Sequence, residues 1–166
     1  MCASRTVAGE WLSFSDPCNM PLGLEDGRVP DPLIRASSSQ SYYCKPFNAR
    51  LNRRRVGRQG GAWCAKRSDR NQWLLVDFGA LTRVKAVGTQ GRQNSAQWVT
   101  KYYLAFSKNG YQFFPYKEGG KTKVKSSTCS YFFQFYLILN GLIRFLVSGM
   151  SGTLHGQQML TAVLYY

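Results

Sequence analysis

The sequence predicts an all-β domain, and three observations carry that prediction. Trp73-Leu74-Leu75-Val76-Asp77-Phe78 is a short, almost wholly apolar run, with the length and composition of a strand buried on both faces. Val84-Lys85-Ala86-Val87 alternates apolar with polar residues, as a half-buried strand does. Between β-rich runs at 99–107 and 111–116, Lys108-Asn109-Gly110 supplies an Asn-Gly turn, the strongest short hairpin signal in the chain. No stretch before residue 120 sustains a helical period. A chain of 166 residues makes one domain of ordinary size with a real core.

In chain order, residues 1–17 lack periodicity and read as a tail. Glu10 and Asp16 interrupt any apolar core of signal-peptide length, so either the protein is not secreted by the usual route or the true start lies elsewhere. Residues 18–27 are turn-rich and acidic, and Val29-Pro30-Asp31-Pro32 holds the chain extended. Leu33-Ile34-Arg35-Ala36-Ser37-Ser38 is a first strand. Residues 37–47 have loop composition but carry Tyr42, Tyr43 and Phe47, which are either buried anchors or an exposed contact tip. Arg53-Arg54-Arg55 opens a basic, glycine-containing loop that runs to Gly61. Gly61-Ala62-Trp63-Cys64 is a brief strand or turn around one large ring, and residues 66–71 are charged and exposed. The runs at 73–78 and 84–87 are expected to pair as a hairpin, with Gly79 as punctuation and Leu81 plugging the turn. Gly88 and Gly91 bracket a tight exit at Thr89-Gln90. Residues 92–97 form a polar loop before a strand that begins at Trp98. Pro115 marks the returning strand as an edge or a bulge.

The formal charge is +14, from 22 Lys and Arg against 8 Asp and Glu. It is unevenly spread. Residues 1–30 hold Arg5 and Arg28 against Glu10, Asp16, Glu25 and Asp26. Residues 45–70 hold Lys45, Arg50, Arg53, Arg54, Arg55, Arg58, Lys66, Arg67 and Arg70 against Asp69 alone. Such a patch favours anionic partners or is a solvated basic face. Aromatics are abundant (10 Tyr, 10 Phe and 4 Trp), which argues against wholesale disorder. Cys2, Cys18, Cys44, Cys64 and Cys129 form no CxxC pair and no metal-ligand spacing. His155 is the single histidine, so no base–nucleophile pair is in sight and an enzyme is not expected.

The segments CNMPLGLEDGRV, IRASSS, FNARLN, GGAWCAK, NQWLLVDFG, VKAVGTQGR and WVTKYYLAFSKNGYQF follow one another in an order and spacing that resembles the discoidin domain, also called the coagulation factor V/VIII type C domain. The resemblance covers residues 18–120. It implies a jelly-roll-like β-sandwich of eight main strands whose loops at one end act as ligand-binding spikes. It also implies an extracellular or cell-surface adhesion module that recognises anionic phospholipid, glycan, collagen or a cell-surface protein. No cofactor is expected; calcium occurs in the family, and nothing in this sequence supports it. Nothing in the sequence sets an oligomeric state.

After Lys121 the likeness stops, and residues 121–166 read as an unmatched hydrophobic tail. The family closes with further strands, one of them arginine-bearing, and with a cysteine that pairs with the one matched to Cys18. Here Leu142-Ile143-Arg144-Phe145-Leu146 faintly resembles the arginine-bearing strand, and the chain ends without a cysteine. Three readings compete for residues 131–147: a membrane span, which Gln134, Asn140 and Arg144 weaken; diverged core strands; or coding sequence foreign to the domain. The abrupt loss of match favours the last, so the sandwich is expected to be incomplete at its C-terminal side, with exposed edges that other chains can pair with. A truncated, non-functional product is an alternative outcome.

By the same resemblance the contacts lie in the spikes. Tyr42, Tyr43 and Phe47 of the first are placed to dip into a membrane interface or stack on a sugar, with Lys45 on an anionic group. Phe47 alone reads better as core. Arg92, Gln93 and Asn94 belong to the next spike, which is polar and lacks an apolar tip. Arg53, Arg54, Arg55 and Arg58 form a basic patch able to grip sulfate or phosphate through guanidinium forks. A nucleic-acid-binding protein using the same arginines is the runner-up. Trp63, Trp73, Asp77 and Trp98 are assigned to the scaffold. A Cys44–Cys64 disulfide is expected from two cysteines in or beside loops that the fold could bring together.

Overall fold

The computed structural model describes residues 21–80, 82–84, 86–92, 97–126, 139–140, 142–149 and 159–165. Among them the strands are β1 (Ile34–Ala36), β2 (Trp63–Cys64), β3 (Trp73–Val76), β4 (Arg83–Val84), β5 (Ala86–Gln90), β6 (Lys101–Ser107) and β7 (Phe114–Pro115). They continue with β8 (Lys117–Glu118), β9 (Lys121–Thr122), β10 (Val124–Ser126), β11 (Leu139–Asn140), β12 (Leu142–Gly149) and β13 (Met159–Tyr165). Three short 3-10 turns, at Asp31–Leu33, Tyr42–Cys44 and Pro46–Asn48, are the helical elements among these residues. The class is all-β, as the sequence predicts.

One sheet runs β1-β3-β12-β6-β10, with β7 sharing the β6 edge beside β10; a second runs β2-β13-β5. Short pairs β4–β11 and β8–β9 complete the described pairing. The core gathers Leu24, Val29, Ile34, Trp63, Leu74, Val76, Val84, Val87, Val99, Tyr102 and Leu104. On β3, Leu74 and Val76 enter this cluster, while Leu75 between them is buried outside it, so the strand is covered on both faces. Trp63 anchors the core and donates its indole N–H to the Ser38 carbonyl at 2.8 Å. The Asp77 carboxylate accepts from the Gly79 amide at 2.8 Å and lies 3.9 Å from the Arg35 guanidinium. Both a turn amide and a base therefore meet it, in line with its scaffold assignment. Leu81, Cys18 and the expected terminal bridge lie outside the described residues.

Two expectations are corrected. The runs at 73–78 and 84–87 do not form a hairpin: β3 pairs with β1 and β12, and β5 pairs with β13. The Gly79 turn, at φ 71°, instead carries the chain from one sheet to the other. Apolar patterning reports burial, and both strands are buried, but it does not name the partner. The expected gap at the C-terminal side is filled as well. The backbone of β12 lies antiparallel between β3 and β6, with Ile143 opposite both Val76 and Phe106. Without it, the facing edges of β3 and β6 would leave two rows of unmet backbone donors and acceptors inside the sheet. A helical span across 131–147 is excluded for residues 142–147, which are strand; residues 131–138 lie outside the described residues. Among the described residues no helix is long and apolar enough to cross a membrane.

The Asn-Gly signal does mark a hairpin, β6 to β7, with Phe106 opposite Phe114. Its link is longer than two residues. Asn109 folds it by accepting from the amides of Tyr111 and Gln112 through Oδ1, at 3.0 and 3.1 Å.

Candidate functional site

Strand register fixes which loops share an end. Ala36 at the close of β1 lies opposite Leu74 near the start of β3, and Leu146 of β12 lies opposite Trp73. Lys101 at the start of β6 lies opposite Gly149 at the close of β12. The loops that leave β1, enter β3 and enter β6 therefore lie together. The Asn52 amide donates to Gln90 Oε1 at 3.1 Å, which brings the exit of β5 to the same end.

The main feature here is a pair of loops locked to each other. Residues 40–48 make two consecutive 3-10 turns; Ser41 caps the first by accepting from the Tyr43 amide. Residues 53–60 make a small hairpin in which Val56 and Gln59 exchange both backbone hydrogen bonds, at 3.1 and 3.0 Å. Gly57, at φ 57°, occupies the first central position of its two-residue turn, where a side chain would be strained. The Cys44–Cys64 disulfide ties the first loop to β2, with Cα atoms 5.1 Å apart. The Gly60 amide donates to the Tyr43 carbonyl at 2.7 Å. The Asn48 carboxamide bridges that carbonyl and Gln59 Oε1, each at 3.1 Å. Gly61 passes so close to the Arg53 carbonyl that a Cβ would sit 2.2 Å from its oxygen, so this contact needs glycine.

The knot sorts the predicted residues. Tyr42 and Tyr43 project outward, 69% and 42% exposed, in an edge-to-face pair at 6.0 Å, and the Lys45 ammonium lies 5.9 Å from the Tyr42 ring centre. Phe47 is half-buried beneath the Arg53 guanidinium, 5.8 Å from its ring centre, and so lies under the knot. Arg53 is itself half-buried, whereas Arg54, Arg55 and Arg58 stand exposed on the hairpin. Arg55 Nε donates to the Gly57 carbonyl at 2.9 Å. Arg92 braces the base of its own loop: its amide donates to the Gln97 carbonyl at 2.9 Å and its Nη1 to Gln97 Oε1 at 3.0 Å. Gln93 and Asn94 lie outside the described residues.

Two residues were missed by sequence reasoning. Val56 is 71% exposed at the top of the basic hairpin. An isolated valine among arginines gives no pattern; its position two residues from Arg58 across a Gly turn is the signal that could have exposed it. Arg50 reads as one more basic residue but is buried. Its Nη1 donates to the Leu24 carbonyl at 2.6 Å, and its Nη2 to the Val29 carbonyl at 2.8 Å and to Asp31 at 2.5 Å. It stitches residues 24–31 to the scaffold.

The family model for the F5/8 type C domain matches residues 34–134. The chain belongs to the F5/8 type C domain family. Coagulation factor V of Mus musculus is 40% identical over 107 residues, which cover 61% of this chain and 5% of that protein. Lactadherin of Rattus norvegicus is 36% identical over 112 residues, 64% of this chain and 26% of that protein. The chain thus spans between about a twentieth and a quarter of the length of these relatives. Discoidin II of Dictyostelium discoideum shares the fold at a TM-score of 0.68 and 18% identity, over 80% of this chain and 54% of that one. This domain type is a binding module rather than a catalytic one.

Proposed function

We propose that this F5/8 type C domain is an extracellular or cell-surface module that docks through its loop end onto an anionic membrane surface. One observation carries the reading: Tyr42 and Val56, the most exposed apolar groups of the loop end, stand on two loops that are hydrogen-bonded to each other and that also carry Lys45 beside Tyr42 and the exposed Arg54, Arg55 and Arg58. A headgroup layer asks for that combination. Short apolar and aromatic tips enter the interface, while cations beside them meet phosphate. The lock matters because ordering a loop at the moment of binding costs affinity, and here the order is already present.

The test is sedimentation of the full chain with vesicles of phosphatidylcholine carrying a fraction of phosphatidylserine. Arg54→Ala/Arg55→Ala/Arg58→Ala is expected to weaken binding by more than about tenfold, at roughly 1 kcal/mol per cation, and to flatten its salt dependence. Val56→Asp is expected to weaken binding without disturbing the thermal melt. Binding that survives both changes sinks the reading.

A further inference from the structure

Beside the locked loops, the same end holds a polar depression that this docking does not use. It has a volume of about 350 Å³ and is lined by Ser37, Ser38, Lys66, Arg67, Asp69, Asn71 and Gln72. That is within the size range of small-ligand sites. We infer that it is a subsite for an acidic saccharide unit, held by cations at its acid group and by a carboxylate and a carboxamide at its hydroxyls.

The floor is rigid and fully engaged. Ser37 and Ser38 both donate their hydroxyls to Gln72 Oε1, at 2.8 and 2.5 Å. Their oxygens accept in turn from the amides of Trp73 and Lys66, at 3.1 and 3.0 Å. Gln72, 6% exposed, donates through Nε2 to Asp69 Oδ1 at 2.8 Å, and the Asn71 amide donates to the same oxygen at 2.9 Å. The rim is the opposite. Among the described residues Asp69 Oδ2, the Asn71 carboxamide, the Lys66 ammonium and the Arg67 guanidinium make no hydrogen bond. The Gln72 and Asn71 hydrogen bonds hold the Asp69 carboxyl below the usual carboxylate range, so it stays an acceptor at neutral pH.

The carboxylate selects the ligand class. A site for a bare phosphate or sulfate gains nothing from a negative group among its cations, since like charges raise the cost of binding. A ligand that presents an anion and neighbouring hydroxyls uses both: Lys66 and Arg67 meet the anion, and Asp69 and Asn71 take the hydroxyl protons. Uronic and sulfated sugars have that chemistry. The inference shares the loop end with the membrane reading but does not require it.

Isothermal titration of the full chain with a heparin-derived tetrasaccharide, at fixed ionic strength, tests the inference. Arg67→Gln and Asn71→Ala are each expected to weaken binding about fivefold, the effect of one lost hydrogen bond of ordinary strength. Asp69→Asn is expected to weaken it as well, although the change makes the protein more positive. Diffuse attraction of a polyanion predicts the reverse sign, so tighter or unchanged binding by Asp69→Asn together with unchanged binding by Asn71→Ala overturns the inference. So does a loss that shows only with phosphatidylserine vesicles and not with the saccharide, which would make the depression a headgroup site. Thermal melts that match the parent chain show that the Asn71 and Arg67 variants remain folded. Because the tip variants above are read on vesicles and these on the saccharide, failure of one reading leaves the other standing or falling by itself.

Discussion

At the scale of single residues, the arginines of one basic stretch divide into three jobs that composition cannot separate. Arg50 is buried and holds two carbonyls and Asp31, Arg53 lies over a ring, and Arg54, Arg55 and Arg58 are exposed on the hairpin, Arg55 with its Nε on the Gly57 carbonyl. Arg50→Ala leaves two buried carbonyls without donors, and is expected to cost about 3 kcal/mol, read as a fall in the denaturant midpoint. Arg54→Ala removes an exposed charge and should leave that midpoint within about 0.5 kcal/mol of the parent. Asp69 gives a second residue-scale outcome. Its lowered pKa comes first from Gln72 and then from the Asn71 amide, so Gln72→Ala should return it upward toward the ordinary carboxylate range in an NMR titration. The sign for stability follows. A carboxyl depressed in the folded state stabilises above its unfolded pKa, and that contribution disappears as pH falls through the folded value.

At the scale of elements, the locked loops show how much of a site can be read in advance. The aromatic residues at 42, 43 and 47 and the basic run at 53–58 are visible in the sequence, and so is the Cys44–Cys64 bridge as a hypothesis. Their division between exposed tips and buried underside is not visible, because it depends on a Gly60–Tyr43 hydrogen bond and a Gly61–Arg53 contact across unpatterned sequence. The depression at 66–72 was opaque for the same reason: its residues look like a solvated charged turn until Gln72 is seen to gather Ser37 and Ser38 from another loop. The bridge spans a sequence separation of 20, so removing it by Cys44→Ser/Cys64→Ser is expected to cost about 3 kcal/mol through the wider unfolded ensemble. It should also release the Tyr42–Tyr43 turn, which would show as faster amide exchange at residues 41–47 than in the parent. Exchange confined to its former rate would mean that the hydrogen bonds of Asn48 and Gly60 suffice to hold the loop.

At the scale of the whole molecule, the strand inventory before residue 120 was legible and the pairing was not. β1, β2, β3 and β6 fall where patterning and turn residues place them, yet one of the two partners of β3 comes from beyond the recognised stretch. Leu142-Ile143-Arg144-Phe145-Leu146 carries too little context to be told from foreign sequence, since a short apolar run fits a buried strand, a buried helix segment or part of a span equally well. Its placement decides the architecture. β12 bonds to β3 on one side and to β6 on the other, and β13 joins β5 to β2. A chain ending at Ser126 would keep every spike residue named above but would open the large sheet at its centre. The two halves, β1-β3 and β6 with β7 and β10, would then face solvent with complementary, unpaired edges. Such a chain is expected to lose its cooperative thermal transition and to associate in a concentration-dependent way, whereas the full chain melts in one step. Calorimetry and light scattering on both chains make the comparison. A cooperative, monomeric melt of the shortened chain would show that β12 and β13 decorate a sandwich already complete without them.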